Sequence, residues 1–473
     1  MSLKANRRVL IVIISQIISL LLSTIILISY NGTFINLSRI GIIFIFFSFF
    51  SYCLIQKKIF SVSNLYLLLF ILFQFGLPIA YAVDESFHSF YVELFSDNLL
   101  TNAVKFTVIA IQVYTLFSSL IVNGNNSELH KIKGSGKWTK KIVDNQDIVA
   151  KAALWMFVIT GIISVPVNLL SAINALTSGT IISNQFRGAM SETGIGRALQ
   201  QFYFPSALVF LCFSTSRRRK KIVSFLYIVV ALAMIAVADR SGGVSALIVY
   251  ALYKYNAANP KDKKKNIILL FITGIALIIL SVIVARYRLT GNLGTSISGN
   301  YFSAALEEMG FNFTSLCFVM EYIPAKTGFR YGISYLVAFA LLVPKTLGLK
   351  SVYPALKSYL GETWLYNANI LYGKSYLSFG VGFSLIAESY YNFGWFGILI
   401  MIPLSYLLTY FIKEDKYHDA WHTYLQLVLM LSFFTLPRRQ FADALKAFEY
   451  SIFFMMLYLL IFINIYKRRN GKR

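Results

Sequence analysis

Charge is the scarcest resource in this chain. Of 473 residues only 14% are Asp, Glu, Lys or Arg, against 57% hydrophobic, and mean hydropathy is +0.65. That balance excludes a water-soluble fold and points to helices solvated by lipid. Cysteine is almost absent. Cys53 and Cys212 lie in or at the ends of apolar runs, and with Cys317 they suggest neither a disulfide framework nor a zinc cluster. The four histidines, His88, His130, His418 and His422, do not converge in sequence, and P-loop, HExxH and GxSxG motifs are all missing. Metal or nucleotide chemistry therefore has no support and no cofactor is implied, so the energy for any reaction has to arrive with the substrate. Period-two alternation is missing too, which argues against a β-barrel.

What is present is a series of apolar runs: about 9–29, 37–55, 61–83, 102–122, 148–170, 200–216, 222–238, 241–255, 266–285, 384–412, 420–437 and 447–466. Many reach the length a helix needs to cross about 30 Å of hydrocarbon. The first is too long for a signal-peptide core and no small-residue cleavage site follows it, so it reads as a span. The expected fold is an all-α polytopic membrane protein of about twelve spans, forming a single domain over 1–473.

The net charge of +24 invites a nucleic-acid reading, but the basic residues cluster in short loops. Lys57-Lys58, the 131–141 stretch, RRRKK at 217–221, KDKKK at 261–265, KEDK at 413–416 and KRRNGKR at 467–473 fall on alternate loops. The positive-inside rule accounts for them and places both termini in the cytoplasm. The 222–255 region then has to be a hairpin turning at AVADRSGG, because one long span would separate RRRKK from KDKKK across the membrane. Three segments are expected outside: 84–101, 171–199 and a large loop at 286–383 before the last three spans. Within that loop, 331–343 (YGISYLVAFALLV) is apolar but too short to span, and reads as a re-entrant or interfacial helix.

Two residue classes carry the candidate chemistry. Outer segments ordinarily hold few basic residues, yet Arg187, Arg197, Arg240, Arg286, Arg288, Arg330, Arg438 and Arg439 are all assigned there. A guanidinium is always charged and offers a planar donor fork suited to phosphate oxygens, although lipid head groups attract it equally. The second class is a lone carboxylate, Glu388, within FGVGFSLIAESYYNFGWFG (379–397). On a helix Tyr391 and Asn392 share its face. Such a carboxylate is either a general base toward a sugar hydroxyl or a buried group that fixes helix packing. Tyrosines crowd the same half of the chain, where sugar stacking and an interfacial belt both explain them.

Twelve spans, the external arginines, the late external loop, ADRSGG (238–243), ARYR (285–288) and AESYYNFGWFG (387–397) together resemble the Wzy-type oligosaccharide repeat-unit polymerases of O-antigen and capsule synthesis. Arg288 followed by Gly299 fits an Arg-x10-Gly pattern described for some members, whereas Arg187 is followed by Ala198 and departs from it. The resemblance implies a bacterial cytoplasmic-membrane enzyme joining undecaprenyl-pyrophosphate-linked oligosaccharide units into a surface polysaccharide by metal-independent, inverting glycosyl transfer. It assigns catalysis to Glu388, Arg286 and Arg288, and binding of pyrophosphate and glycan to Arg187, Arg240, Tyr391, Asn392 and Arg438. Membrane lipids, a chain-length regulator and a flippase are the implied partners. The related O-antigen ligase carries a histidine in its large external loop, and 286–383 has none. A flippase would place charge deep in several spans, where this chain has almost none, and a monomer-using glycosyltransferase would want acids in its first external loop, where 30–36 has none, although Asp84-Glu85 in the second could serve.

Overall fold

The computed structural model describes residues 3–56, 62–124, 137–177, 199–236, 240–257, 300–343, 352–373, 382–412 and 419–470, and every regular element among them is helical. Seven of the described helices are long and apolar enough to cross a bilayer: Arg7–Ser29, Phe34–Gln56, Val62–Val83, Asp97–Val122, Gln146–Asn174, Leu385–Thr409 and Phe441–Asn470. The other expected spans are shorter or more polar where described. Tyr203–Phe213 has 11 residues, Ala420–Phe433 has 14, and the run at 266–285 lies outside the described residues.

Two compact units are recognisable. One comprises Met1–Lys131, Ser296–Glu414 and Leu436–Leu445; the other comprises Ile132–Thr295, Asp415–Thr435 and Lys446–Arg473. In the first, Val62–Val83 and Asp97–Val122 each bury 78% of their most apolar stretch and form the centre, whereas Arg7–Ser29 buries 28% and lies at the edge. Its Leu10, Ile14, Leu21 and Ile25 remain exposed, as suits a lipid-facing helix, whose apolar side chains gain nothing by turning inward. Polar groups tie helices together, the edge helix included. Gln112 bridges to Ser19 and Ser23, and Thr409 donates to Ser118 at 3.0 Å.

Two glycines govern the closest approach in that unit. Val62–Val83 and the Tyr301–Gly310 helix touch at Gly76 and Gly310: a Cβ on Gly76 would lie 2.8 Å from the Leu306 carbonyl, and one on Gly310 would lie 2.7 Å from the Gly76 Cα. Only backbone fits between them. The Tyr301–Gly310 helix is capped by the Asn300 side chain, which accepts from Ser303 N at 2.9 Å. It is also tied to the end of Val62–Val83 by Asp84, which accepts from Ser303 Oγ at 2.7 Å and Asn300 N at 3.0 Å. Hydrogen bonds from Ser303, Ser86 and the Asn300 N–H hold the Asp84 carboxyl down at about 2.

In the second unit, Arg217–Ala236 and Arg240–Asn256 form the hairpin that the charge pattern requires. The Tyr227 hydroxyl donates to Ala246 O at 3.0 Å across it. Two more tyrosines bind backbone carbonyls of neighbouring helices, Tyr203 to Leu226 at 3.0 Å and Tyr253 to Leu211 at 3.1 Å. A hydroxyl on a carbonyl satisfies a polar group that lipid would leave costly.

Gly310→Val is expected to separate the two helices and lower the thermal unfolding midpoint in detergent by several degrees. Gly328→Ala, where an added Cβ meets nothing within 4 Å, is expected to leave it unchanged.

Candidate functional site

Ser384 starts the Leu385–Phe393 helix by accepting from Ala387 N at 3.1 Å. Gly394 stops it after nine residues, at φ +58 and ψ −138. A Cβ there would lie 2.8 Å from the Phe329 ring, so both conformation and space demand glycine. The chain continues as a 3-10 turn, Gly394–Ile400, and resumes as α-helix at Met401. The candidate span at 385–409 is therefore a broken helix. Irregular backbone at membrane depth is tolerated where protein surrounds it or where it lines a cavity.

The last carbonyls of this half-helix have no partner within it, and residues 330–332 supply one. Arg330 N donates to Tyr391 O at 3.2 Å, Tyr331 N to Asn392 O at 2.9 Å, and Gly332 N to Asn392 Oδ1 at 3.1 Å. Aiming successive N–H groups this way takes left-handed backbone at both Tyr331 (φ 49) and Gly332 (φ 86). For a tyrosine this conformation is strained, and the three hydrogen bonds offset it.

Glu388 is fully buried, and neither carboxylate oxygen is idle. Oε1 accepts from the Ser334 hydroxyl at 2.8 Å and Oε2 from the Phe441 backbone N–H at 2.6 Å. Each donor belongs to a helix start: Ser334 to Ile333–Ala340 and Phe441 to Phe441–Phe448. At Phe441 the carboxylate satisfies an orphan helix N–H, at Ser334 a side-chain hydroxyl, and at both it meets the positive end of a helix dipole. Asn392 completes the network, its Nδ2 donating to Ser334 Oγ and to Glu388 O, both at 2.8 Å.

Around this network stand Tyr391, Arg330 and Tyr335. The Tyr391 hydroxyl donates to Tyr359 O at 3.2 Å, and its ring packs on Trp364 with centroids 4.8 Å apart. The Arg330 guanidinium lies 5.8 Å from the Tyr391 ring centre, close to the negative end of the half-helix, which favours a cation. Its Nε is buried without a hydrogen-bond partner among the described residues, and so is the Tyr335 hydroxyl. Burial raises the Tyr335 hydroxyl well above its ordinary value, so it stays protonated and able to donate. Arg438 closes the Leu436–Arg438 turn, half-buried, with its guanidinium 5.4 Å from the Phe73 ring centre. Chemically, a buried unpartnered guanidinium N–H beside a donor hydroxyl can receive an oxyanion. Among the described residues no three His, Cys, Asp or Glu side chains gather to hold a metal.

Of the residues expected from sequence, Glu388, Tyr391 and Asn392 come together on one half-helix, with Arg438 three residues before the N–H that Glu388 holds. Arg240 opens the Arg240–Asn256 helix of the other unit. Arg187, Arg286 and Arg288 lie outside the described residues. Expected loop segment 331–343 contains the Ile333–Ala340 helix, whose Leu336 and Phe339 are exposed while Ser334, Val337 and Ala338 are buried. Sequence reasoning missed Ser334 and the Phe441 N–H. A single serine two residues after Tyr331-Gly332, inside an apolar run, was the available signal for the first; a backbone N–H leaves none.

The fold and site define a polytopic helical membrane protein with a polar network on a broken span. A sequence model of the family described as O-antigen polysaccharide polymerase Wzy matches residues 11–470, and the chain belongs to that family. Neither the curated proteins nor the solved structures contain a match. Membership over nearly the whole chain makes this protein a repeat-unit polymerase of surface polysaccharide synthesis, as the sequence motifs suggested.

Asn392→Leu removes three hydrogen bonds and leaves the Gly332 N–H buried without an acceptor. The expected cost is about 2–4 kcal/mol of stability, read as a lowered unfolding midpoint in detergent, with lost polymer in cells.

Proposed function

We propose that the donor is an oligosaccharide on undecaprenyl pyrophosphate and that the reaction is inverting and metal-independent, at the outer face of the bacterial cytoplasmic membrane. The acceptor is a hydroxyl of a second lipid-linked unit. Its oxygen forms the new bond to the donor's anomeric carbon as the bond to phosphate breaks, and the electron pair stays on the phosphate oxygen. The hydroxyl proton is lost to solvent, and the released lipid pyrophosphate carries the matching negative charge. On this reading the chain crosses the membrane twelve times with both termini inside. A flippase of the same pathway delivers the units and a chain-length regulator acts on the product.

Polymerisation rests on the family match over 11–470. What supports the site assignment is the buried, unpartnered Nε of Arg330 beside the Tyr391 ring. Guanidinium groups aimed at a leaving pyrophosphate strengthen their hold as its charge develops, which is where electrostatic catalysis acts. Arg330 takes that role with Arg438; for Arg187, Arg240, Arg286 and Arg288 the pyrophosphate role is proposed from the family resemblance alone. Tyr391, fully buried, backs the Arg330 guanidinium with its ring, and Tyr335 offers its hydroxyl to sugar.

Lipid-linked glycans from a deletion strain are expected to be single repeat units. Accumulated long polymer would instead mean a ligase, and unchanged polymer would sink the reading. Arg330→Lys keeps the charge but loses the planar fork, and is expected to lower polymer formation in a complementation assay by ~10²-fold or more.

A further inference from the structure

The arginine site proposed above leaves open what holds its parts in register. Ser334, bonded to Oε1 of Glu388, follows Arg330 by four residues, and the three intervening N–H bonds seat the same stretch on the half-helix. Phe441, bonded to Oε2, follows Arg438 by three residues and Arg439 by two. A further bond, from Glu362 N to the Gln440 side chain at 3.2 Å, fixes the residue between. Each carboxylate oxygen therefore holds one arginine-bearing segment.

We infer that Glu388 is a positioning residue: its two oxygens set segments 330–334 and 438–441 on one half-helix, fixing where their guanidiniums stand for pyrophosphate. The inference deepens the proposed function and rests on it. Its alternative is the role sequence assigns, proton acceptor for the acceptor hydroxyl, which would require the carboxylate to leave one of its two donors and reach substrate from a fully buried position. Glutamine separates the two roles. Its carbonyl accepts the Phe441 N–H and its amide donates to Ser334 Oγ, so it keeps the geometry while losing the base. Charged and titratable neighbours of Glu388 are Asp443 on the helix that Phe441 starts, Tyr335 on Ile333–Ala340, and Tyr391 and Arg330 at its own half-helix.

The experiment uses the full-length protein in nanodiscs with lipid-linked repeat units extracted from the deletion strain. Glu388→Gln is expected to stay within ~3-fold of the wild-type kcat with the same pH profile, where loss of a general base would cost ~10²–10⁴-fold. Ser334→Ala, which removes one arm and leaves the fold, is expected to raise the donor KM by ~10-fold with a smaller change in kcat, and Ser334→Thr to restore it. Glu388→Gln collapsing together with one limb of the pH profile would overturn the inference in favour of proton transfer. Ser334→Ala and Glu388→Ala both at wild-type KM, in a protein whose Arg330→Ala variant is impaired, would overturn it while sparing the arginine site. Arg330→Ala and Arg438→Ala both at wild-type rate would remove the arginine site and the inference with it.

Discussion

A carboxylate taken fully out of water is tolerable only when hydrogen bonds replace its hydration, and Glu388 has two, from the Ser334 hydroxyl and the Phe441 N–H. That requirement organises the surrounding chain. Two helix starts converge on one side chain, one through the spare Phe441 N–H and the other through the Ser334 hydroxyl, and each brings the partial positive charge that a buried anion needs. Remote stretches of sequence, 330–334, 385–393 and 438–441, are thereby joined around one residue. Removing a single partner from such an arrangement leaves an unmet buried polar group, which costs more than the bond itself is worth.

The broken span supplies the other half of the logic. Gly394 ends the helix after two and a half turns, so its last carbonyls point out of the helix instead of onward along it. Residues 330–332 cap them through a strained left-handed pair, and Arg330 is delivered to the negative helix end. Arg330 is half-exposed, and its buried Nε–H has no hydrogen-bond partner among the described residues, so the cation keeps a donor to spare. On the proposed reading, in which the leaving group is a lipid pyrophosphate, the useful property is this preorganisation, since donors already in place need no rearrangement as charge develops.

Much of this was legible in sequence, for physical reasons that differ by residue. The apolar runs gave the helical membrane class because hydropathy reports lipid solvation directly. The basic clusters on either side of 222–255 required a hairpin, and Arg217–Ala236 with Arg240–Asn256 forms it. Glu388 stood out as a carboxylate where one is costly, and Asn392 followed from helical spacing. The partners of Glu388 did not follow. Ser334 is 54 residues away and Phe441 is 53, and the latter acts through its backbone. Long-range pairing of that kind leaves no periodic trace. Span count was similarly obscured, because Tyr203–Phe213 and Ala420–Phe433 are shorter than their apolar runs suggest.

As a positioning residue, Glu388 has to remain an anchor while substrate is bound. The most direct measurement is a cryo-electron microscopy map of the protein in nanodiscs with lipid-linked donor and acceptor, at a resolution that shows side chains. Pyrophosphate density is expected against the Arg330 guanidinium, with Glu388 still between Ser334 Oγ and the Phe441 N–H. A Glu388 carboxylate released from either donor and turned toward the acceptor hydroxyl would contradict that anchoring role.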